Sequence, residues 1–206
     1  CCAGSRIFVQ EGVYDQFVER LIEEFSKVKV GLPWEKETQM GAQINKKQVT
    51  SILDCIERGK KEGATVAIGG YRREEGECSS GYFVAPTLLT NVTNDMTVAQ
   101  EEIFGPVAVV IKFKDTEEVI KMANQSLYGL GGGVWTQNLN TALQVSRQLE
   151  TGRVWVNTYN YIPAGAPFGG YKQSGIGRET YKSMLDAYSQ TKNIMIDTSE
   201  EKSGFY

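Results

Sequence analysis

Val107-Ala108-Val109-Val110-Ile111-Lys112-Phe113, running straight into Lys114-Asp115-Thr116-Glu117-Glu118, is the stretch that sets the architecture. A nearly continuous apolar run of this length reads as a strand buried on both faces, the pattern of a parallel sheet. Asp115, Thr116 and Glu118 form a capping box that opens the next helix. Gly131 to Trp135 then reads as a short strand and Leu139 to Leu149 as a helix ended by Gly152. Arg153-Val154-Trp155-Val156-Asn157 reads as a further strand. Strand, helix, strand, helix, strand over residues 107–157 implies right-handed crossovers and a parallel sheet. The expected fold class is therefore α/β: an open, twisted, mostly parallel sheet with helices on both faces.

The same grammar extends outward. Ile7-Phe8-Val9 is strand-like. Tyr14, Phe17, Val18, Leu21, Ile22, Phe25 and Val28 recur at helical spacing, predicting an amphipathic helix from about Val13 to Lys29 stopped by Gly31 and Pro33. Val49, Ile52, Leu53 and Ile56 mark a second helix with Gly63 near its end. Thr65 to Ile68 reads as a strand and Arg72 to Gly81 as a polar surface turn. Glu179 to Tyr188 reads as a helix and Lys192 to Asp197 as a last strand, leading into a polar tail. That strand either folds back on its own sheet or pairs with a neighbouring subunit.

Composition narrows the class. The chain has 206 residues, 41% hydrophobic and 23% charged, with a net charge of -3. These are the proportions of an ordinary globular protein large enough for a substantial core. Interleaved charges argue against nucleic acid or an anionic membrane surface as partner. The apolar runs are too short to span a bilayer. The four cysteines include no CxxC pair and the chain has no histidine, so no metal site is expected. Free thiols suit a reducing cytoplasm. The lack of histidine also removes any Ser-His-Asp or Cys-His device from within the chain.

Several segments carry candidate chemistry. Cys1-Cys2-Ala3-Gly4-Ser5 places thiols in a loop of small residues, where backbone N–H groups can approach a reacting oxygen. The alternative is a small buried side chain before a strand. Glu101-Glu102-Ile103-Phe104-Gly105-Pro106 joins paired acids to an apolar turn. It is suited either to ligand hydroxyls and a stacked ring or simply to a solvated entry into the strand. Tyr128 to Gly133 is glycine-dense but fits neither phosphate-loop pattern, so close backbone packing is the better reading. Pro163 to Gly177 reads as a pocket wall or lid. Lys172 and Arg178 there either meet an anion or are simply exposed.

Together these pieces resemble the aldehyde dehydrogenase superfamily. The motifs are Cys1-x-Ala3-Gly4-Ser5-Arg6, Gly81-Tyr82-Phe83-x-x-Pro86-Thr87 and Glu101-Glu102-Ile103-Phe104-Gly105-Pro106. Asn124-x-Ser126-x-Tyr128-Gly129-Leu130, Gly152-x-Val154-Trp155-Val156-Asn157 and Pro167-Phe168-Gly169-Gly170-Tyr171-Lys172-x-Ser174-Gly175-x-Gly177-Arg178-Glu179 follow in family order. The similarity is greatest to NAD-dependent, non-acylating members.

The resemblance implies that Cys1, two residues before the Ala-Gly pair, is the nucleophile and Cys2 its neighbour. It implies that an aldehyde is oxidised to a carboxylic acid through a thiohemiacetal and a thioester, with NAD or NADP taking the hydride. Glu102 matches the acid on the nicotinamide ribose, Phe104 the aromatic beside the nicotinamide, and Gln48 a position touching the adenosine-side ribose. Ile162 and Phe168 match positions lining the substrate tunnel, and Ile162 stands where many relatives have an aromatic. Residues 1–188 match the catalytic domain, truncated on its N-terminal side. Residues 189–206 match an oligomerisation strand and tail of a homodimer or homotetramer.

The cofactor-binding domain, the water-activating glutamate and an oxyanion asparagine belong upstream in the family. The chain alone is therefore expected to be inactive. An acylating, coenzyme A-dependent member is one alternative, and a binding module that keeps the fold without turnover is another.

Overall fold

The computed structural model describes residues 2–201 and residue 204. The expected nucleophile, Cys1, lies outside the described residues, as do Lys202, Ser203, Phe205 and Tyr206 of the tail. The chain runs β1 (Arg6–Gln10), α1 (Tyr14–Lys27), α2 (Lys46–Glu62), β2 (Thr65–Ile68), β3 (Arg72–Arg73), β4 (Phe83–Val84) and β5 (Thr87–Thr90). It continues through α3 (Thr97–Gln100), β6 (Val107–Phe113), α4 (Thr116–Asn124), β7 (Tyr128–Gly129), β8 (Gly131–Val134) and α5 (Leu139–Gln148). β9 (Arg153–Val156), β10 (Tyr171–Lys172) and α6 (Tyr181–Ala187) complete it.

The main sheet has the order β1-β6-β5-β2. β1, β6 and β5 are mutually parallel, and β2 closes one edge antiparallel to β5. β6 is buried on both faces, as its apolar run requires. Val107, Val109 and Ile111 face a core shared with Val49, Ile52 and Ile56 of α2 and Val98 of α3. Val110 faces the opposite core, where Val18, Leu21, Ile22 and Phe25 of α1 pack. Alternate residues serve opposite layers because the side-chain period of a strand is two. In β2 the register shifts between Val66 and Ile68, so Ala67 and Ile68 both join the α1 layer. Phe17 is on the outer side of α1 and is 39% exposed, so it does not share the buried face predicted for it.

The caps explain where the helices begin and end. Asn45 accepts a hydrogen bond from the Gln48 amide at the start of α2, and Gly63 ends that helix at φ 113°. Asp115 accepts from the Glu118 amide, and the Glu118 carboxylate in turn accepts from the Lys114 amide. The capping box read from the sequence is therefore made, shifted back by one residue on its return bond.

Two expectations are corrected and a third is narrowed. The crossovers over 107–157 do not build one continuous sheet. β8 and β9 form their own parallel pair, and the segment before β1 takes the flank of β8, with the Cys2 carbonyl against Gly131. The helix expected from Glu179 begins only at Tyr181, because the Glu179 backbone is bonded both ways to Phe168 and Thr180 and Tyr181 turn at positive φ. Residues 192–197 do not fold back on the chain's own sheet, which leaves the pairing with a neighbouring subunit as the reading for this segment. Ile194, Met195 and Ile196 are exposed, and among the described residues no neighbour supplies a ladder. The expected surface turn over 72–81 also has an inward side, since Cys78 is 4% exposed within a single helical turn. No helix among the described residues is long and apolar enough to cross a membrane.

Candidate active site

The register of the main sheet brings two candidate loops together. Arg6 pairs with Val109 across parallel strands, and the Ser5 carbonyl accepts from the Val109 amide at 2.9 Å. The loop before β1, described from Cys2, and the loop before β6, with Glu101 to Pro106, therefore emerge at the same end of neighbouring strands.

The acid–aromatic loop is held from below by α2. The Gln48 side-chain amide donates to the Ile103 and Phe104 carbonyls, both at 3.0 Å. Phe104 sits at φ 52°, a left-handed conformation that costs a bulky residue energy and persists only when its surroundings enforce it. Gly105 lies so close over Ile52 that an added Cβ would stand 2.4 Å from its Cδ1. The result is an aromatic ring 66% exposed beside an exposed Glu102 carboxylate.

The two acids separate by partner. Glu101 takes a bidentate pair from Arg58, at 2.7 and 3.2 Å, while Glu102 makes no ion pair among the described residues. Hydrogen bonding from Arg58 holds the Glu101 carboxyl below its ordinary range. A depressed folded-state value means that this support is present above the unfolded pKa and fades only as pH falls through the folded one.

Among the described residues the Gln48 side-chain amide bonds this loop alone. Replacing Gln48 with leucine keeps the bulk and removes two neutral hydrogen bonds, at a cost of about 1–2 kcal/mol. Amide exchange over residues 103–105 should accelerate about tenfold. Native exchange in that segment would refute the assignment.

A second group surrounds the cysteine loop. The Cys2 thiol donates to Asn160 Oδ1 at 3.5 Å, and the Tyr159 hydroxyl donates to the Cys2 carbonyl at 3.3 Å. The segment bearing Ile162 and Phe168 is organised by Arg153, a charged residue only 9% exposed. Its guanidinium donates to the carbonyls of Tyr161, Ala166 and Pro167 and lies 5.1 Å from the Phe168 ring centre. Three carbonyls and a ring face offset the loss of hydration that burial imposes. Ile162 is 42% exposed at the rim and Phe168 is half-buried.

Arg6 does the equivalent for β1. It donates to Asn94 Oδ1 and to the Met122 and Ala123 carbonyls near the end of α4, and burial pushes its pKa down from the ordinary value. Neither arginine was singled out in the sequence, although Arg153 is a lone charge within an apolar strand.

Lys172 and Arg178 are committed to structure. Lys172 bonds the Asn124 and Ser126 carbonyls and pairs with Glu150, while Arg178 bonds the Gly170 and Gly177 carbonyls. Cys55 is buried on α2, and burial pushes its thiol pKa up. Two open grooves of about 450 and 360 Å³ lie beside Lys29 and beside Tyr14, and neither is lined by an expected site residue.

The fold is thus α/β, with the loop that bears Cys2 and the acid–aromatic turn at the same end of neighbouring strands. Comparison with known proteins agrees. The model of the aldehyde dehydrogenase family matches residues 1–194, and the chain belongs to that family. It is 48% identical to an aldehyde dehydrogenase of Paracoccus denitrificans, with all of this chain and 41% of that protein covered. Betaine aldehyde dehydrogenase from Staphylococcus aureus in complex with NAD+ superposes with a TM-score of 0.94 at 40% identity, over 100% of this chain and 41% of that one. The NAD+ complex of an aldehyde dehydrogenase from Bacillus cereus gives 0.90 at 53% identity, over 96% of this chain and 39% of that one. The chain thus spans about two fifths of the length of these relatives.

Proposed function

We propose that residues 1–188 supply the catalytic part of an NAD-dependent aldehyde dehydrogenase, and that residues 189–206 meet a second subunit in a homodimer or homotetramer. The observation that carries this reading is the joint exit of the cysteine loop and the Gln48-held acid–aromatic loop from one end of β1 and β6. The solved relatives that share this fold include NAD+ complexes.

The exposed Glu102 carboxylate suits the ribose hydroxyls of a nicotinamide nucleotide, and the outward Phe104 ring offers a face to its base. When bound, the nucleotide supplies a two-electron acceptor for hydride. The Cys1 thiolate adds to the aldehyde carbon, forming a C–S bond and moving the carbonyl π electrons onto oxygen. As hydride leaves that carbon, the oxygen lone pair rebuilds the C=O bond and a thioester results. Water adds to the thioester, the thiolate leaves, and a carboxylic acid is released. Ile162 and Phe168 form part of the wall along which the aldehyde enters, with an aliphatic rim where Ile162 stands.

The enzyme to which this chain contributes should reduce NAD+ in the presence of acetaldehyde and release acetate without coenzyme A. The 206-residue chain alone should not. NADH absorbance with product analysis tests both statements. Turnover by the chain alone at the rate of the whole enzyme would overturn the assignment of the remaining machinery to other segments. Acetyl-coenzyme A as the product would make the enzyme an acylating one.

A further inference from the structure

Tyr159 stands out among residues that the proposed chemistry does not use. Its ring packs against two tryptophans, Trp155 at 4.9 Å between centres and Trp135 at 5.7 Å. Trp155 is itself fixed, 4% exposed and donating from Nε1 to the Tyr161 carbonyl at 2.8 Å. The phenol oxygen reaches into the cysteine loop through a space that two glycines leave open. A Cβ on Gly4 would stand 2.7 Å from the Tyr159 oxygen, and one on Gly133 would stand 3.1 Å from its ring. There the hydroxyl donates to the Cys2 carbonyl, while the next residue, Asn160, accepts from the Cys2 thiol. Burial pushes the Tyr159 phenol pKa up, which keeps the hydroxyl a donor through the neutral range.

We propose that Tyr159 is a positioning residue for the nucleophile loop: packed against two tryptophans, its hydroxyl fixes the Cys2 carbonyl and with it the backbone of residues 2–5 that leads into β1. This rests on the reading of Cys1 as nucleophile. Small misplacements of a reacting atom, on the order of 1 Å, lower rates by up to about 10²-fold, so a bond to the backbone of this loop affects turnover before it affects folding.

The test is Tyr159→Phe in the whole enzyme, which deletes one oxygen and keeps the ring against the tryptophans. Tyr188→Phe, at a residue 87% exposed, serves as the control. In Tyr159→Phe, amide exchange over residues 2–5 should rise about fivefold. With acetaldehyde and NAD+, kcat should fall about tenfold while the aldehyde KM stays within about twofold. The melting temperature should stay close to that of the wild type, which separates positioning from a general structural role. Unchanged exchange, or an unchanged kcat, overturns the proposal. A wild-type enzyme that oxidises no aldehyde, yet shows raised exchange in Tyr159→Phe, overturns the functional reading and leaves the loop contact standing.

Discussion

Cys1→Ser in the whole enzyme should lower aldehyde oxidation by roughly 10³-fold or more, because removing a covalent nucleophile removes the step that makes hydride transfer possible. An alkoxyl oxygen at that position is far less ionised at neutral pH than a thiol, and its ester is hydrolysed less readily than a thioester. Cys2→Ser is the informative partner. Serine can still donate to Asn160, as the Cys2 thiol does, so this variant should keep turnover within about tenfold of the wild type. Steady-state NADH formation, with peptide mapping after labelling by a thiol-reactive aldehyde analogue, reads both. Label on Cys2, or a collapse of Cys2→Ser matching that of Cys1→Ser, would transfer the nucleophile to the neighbour.

Gly152→Ala should be the most damaging single methyl group in the structure. Gly152 precedes β9 and donates its amide to the Gly129 carbonyl at 3.0 Å. A Cβ there would stand 1.6 Å from the Gly169 carbonyl oxygen and 2.7 Å from its carbon. Both are backbone atoms, so no rotamer relieves the clash. The segment 167–170 must move, and with it the two-way bond between Phe168 and Glu179. A loss on the order of 3 kcal/mol is expected from overpacking of this kind. Urea unfolding should show a lower midpoint at an unchanged slope. A wild-type midpoint would mean that the close approach of Gly152 and Gly169 does not exist in solution.

How much of this was legible in the sequence depended on how local the cause was. β6 announced itself through an unbroken apolar run, and α4 through its cap, because both signals lie within a dozen residues. β5 did not. Thr87-Leu88-Leu89-Thr90 is four residues long, follows a proline, and becomes an interior strand only because β6 on one side and β2 on the other pair with it. The role of Gln48 was equally hidden, since the carbonyls it holds are 55 and 56 residues away. The motifs named Glu102, Phe104 and Phe168, but not the groups that aim them. The Arg153 carbonyl contacts, the Gln48 bonds and the Tyr159 seat depend on tertiary neighbours, which periodicity does not encode. At 192–197 the strand-like residues form no ladder within the described residues, since any partner strand they take would come from outside them.

Several of the contacts that hold the two loops come from groups whose protonation is constant across the neutral range. The chain has no histidine, and Arg6, Gln48 and Tyr159 hold the loops through guanidinium, amide and phenol donors. None of these donors changes charge between about pH 5 and 8, where an imidazole would. These donors are therefore proton-silent, and a titration of reactivity followed over that interval should carry no step from them.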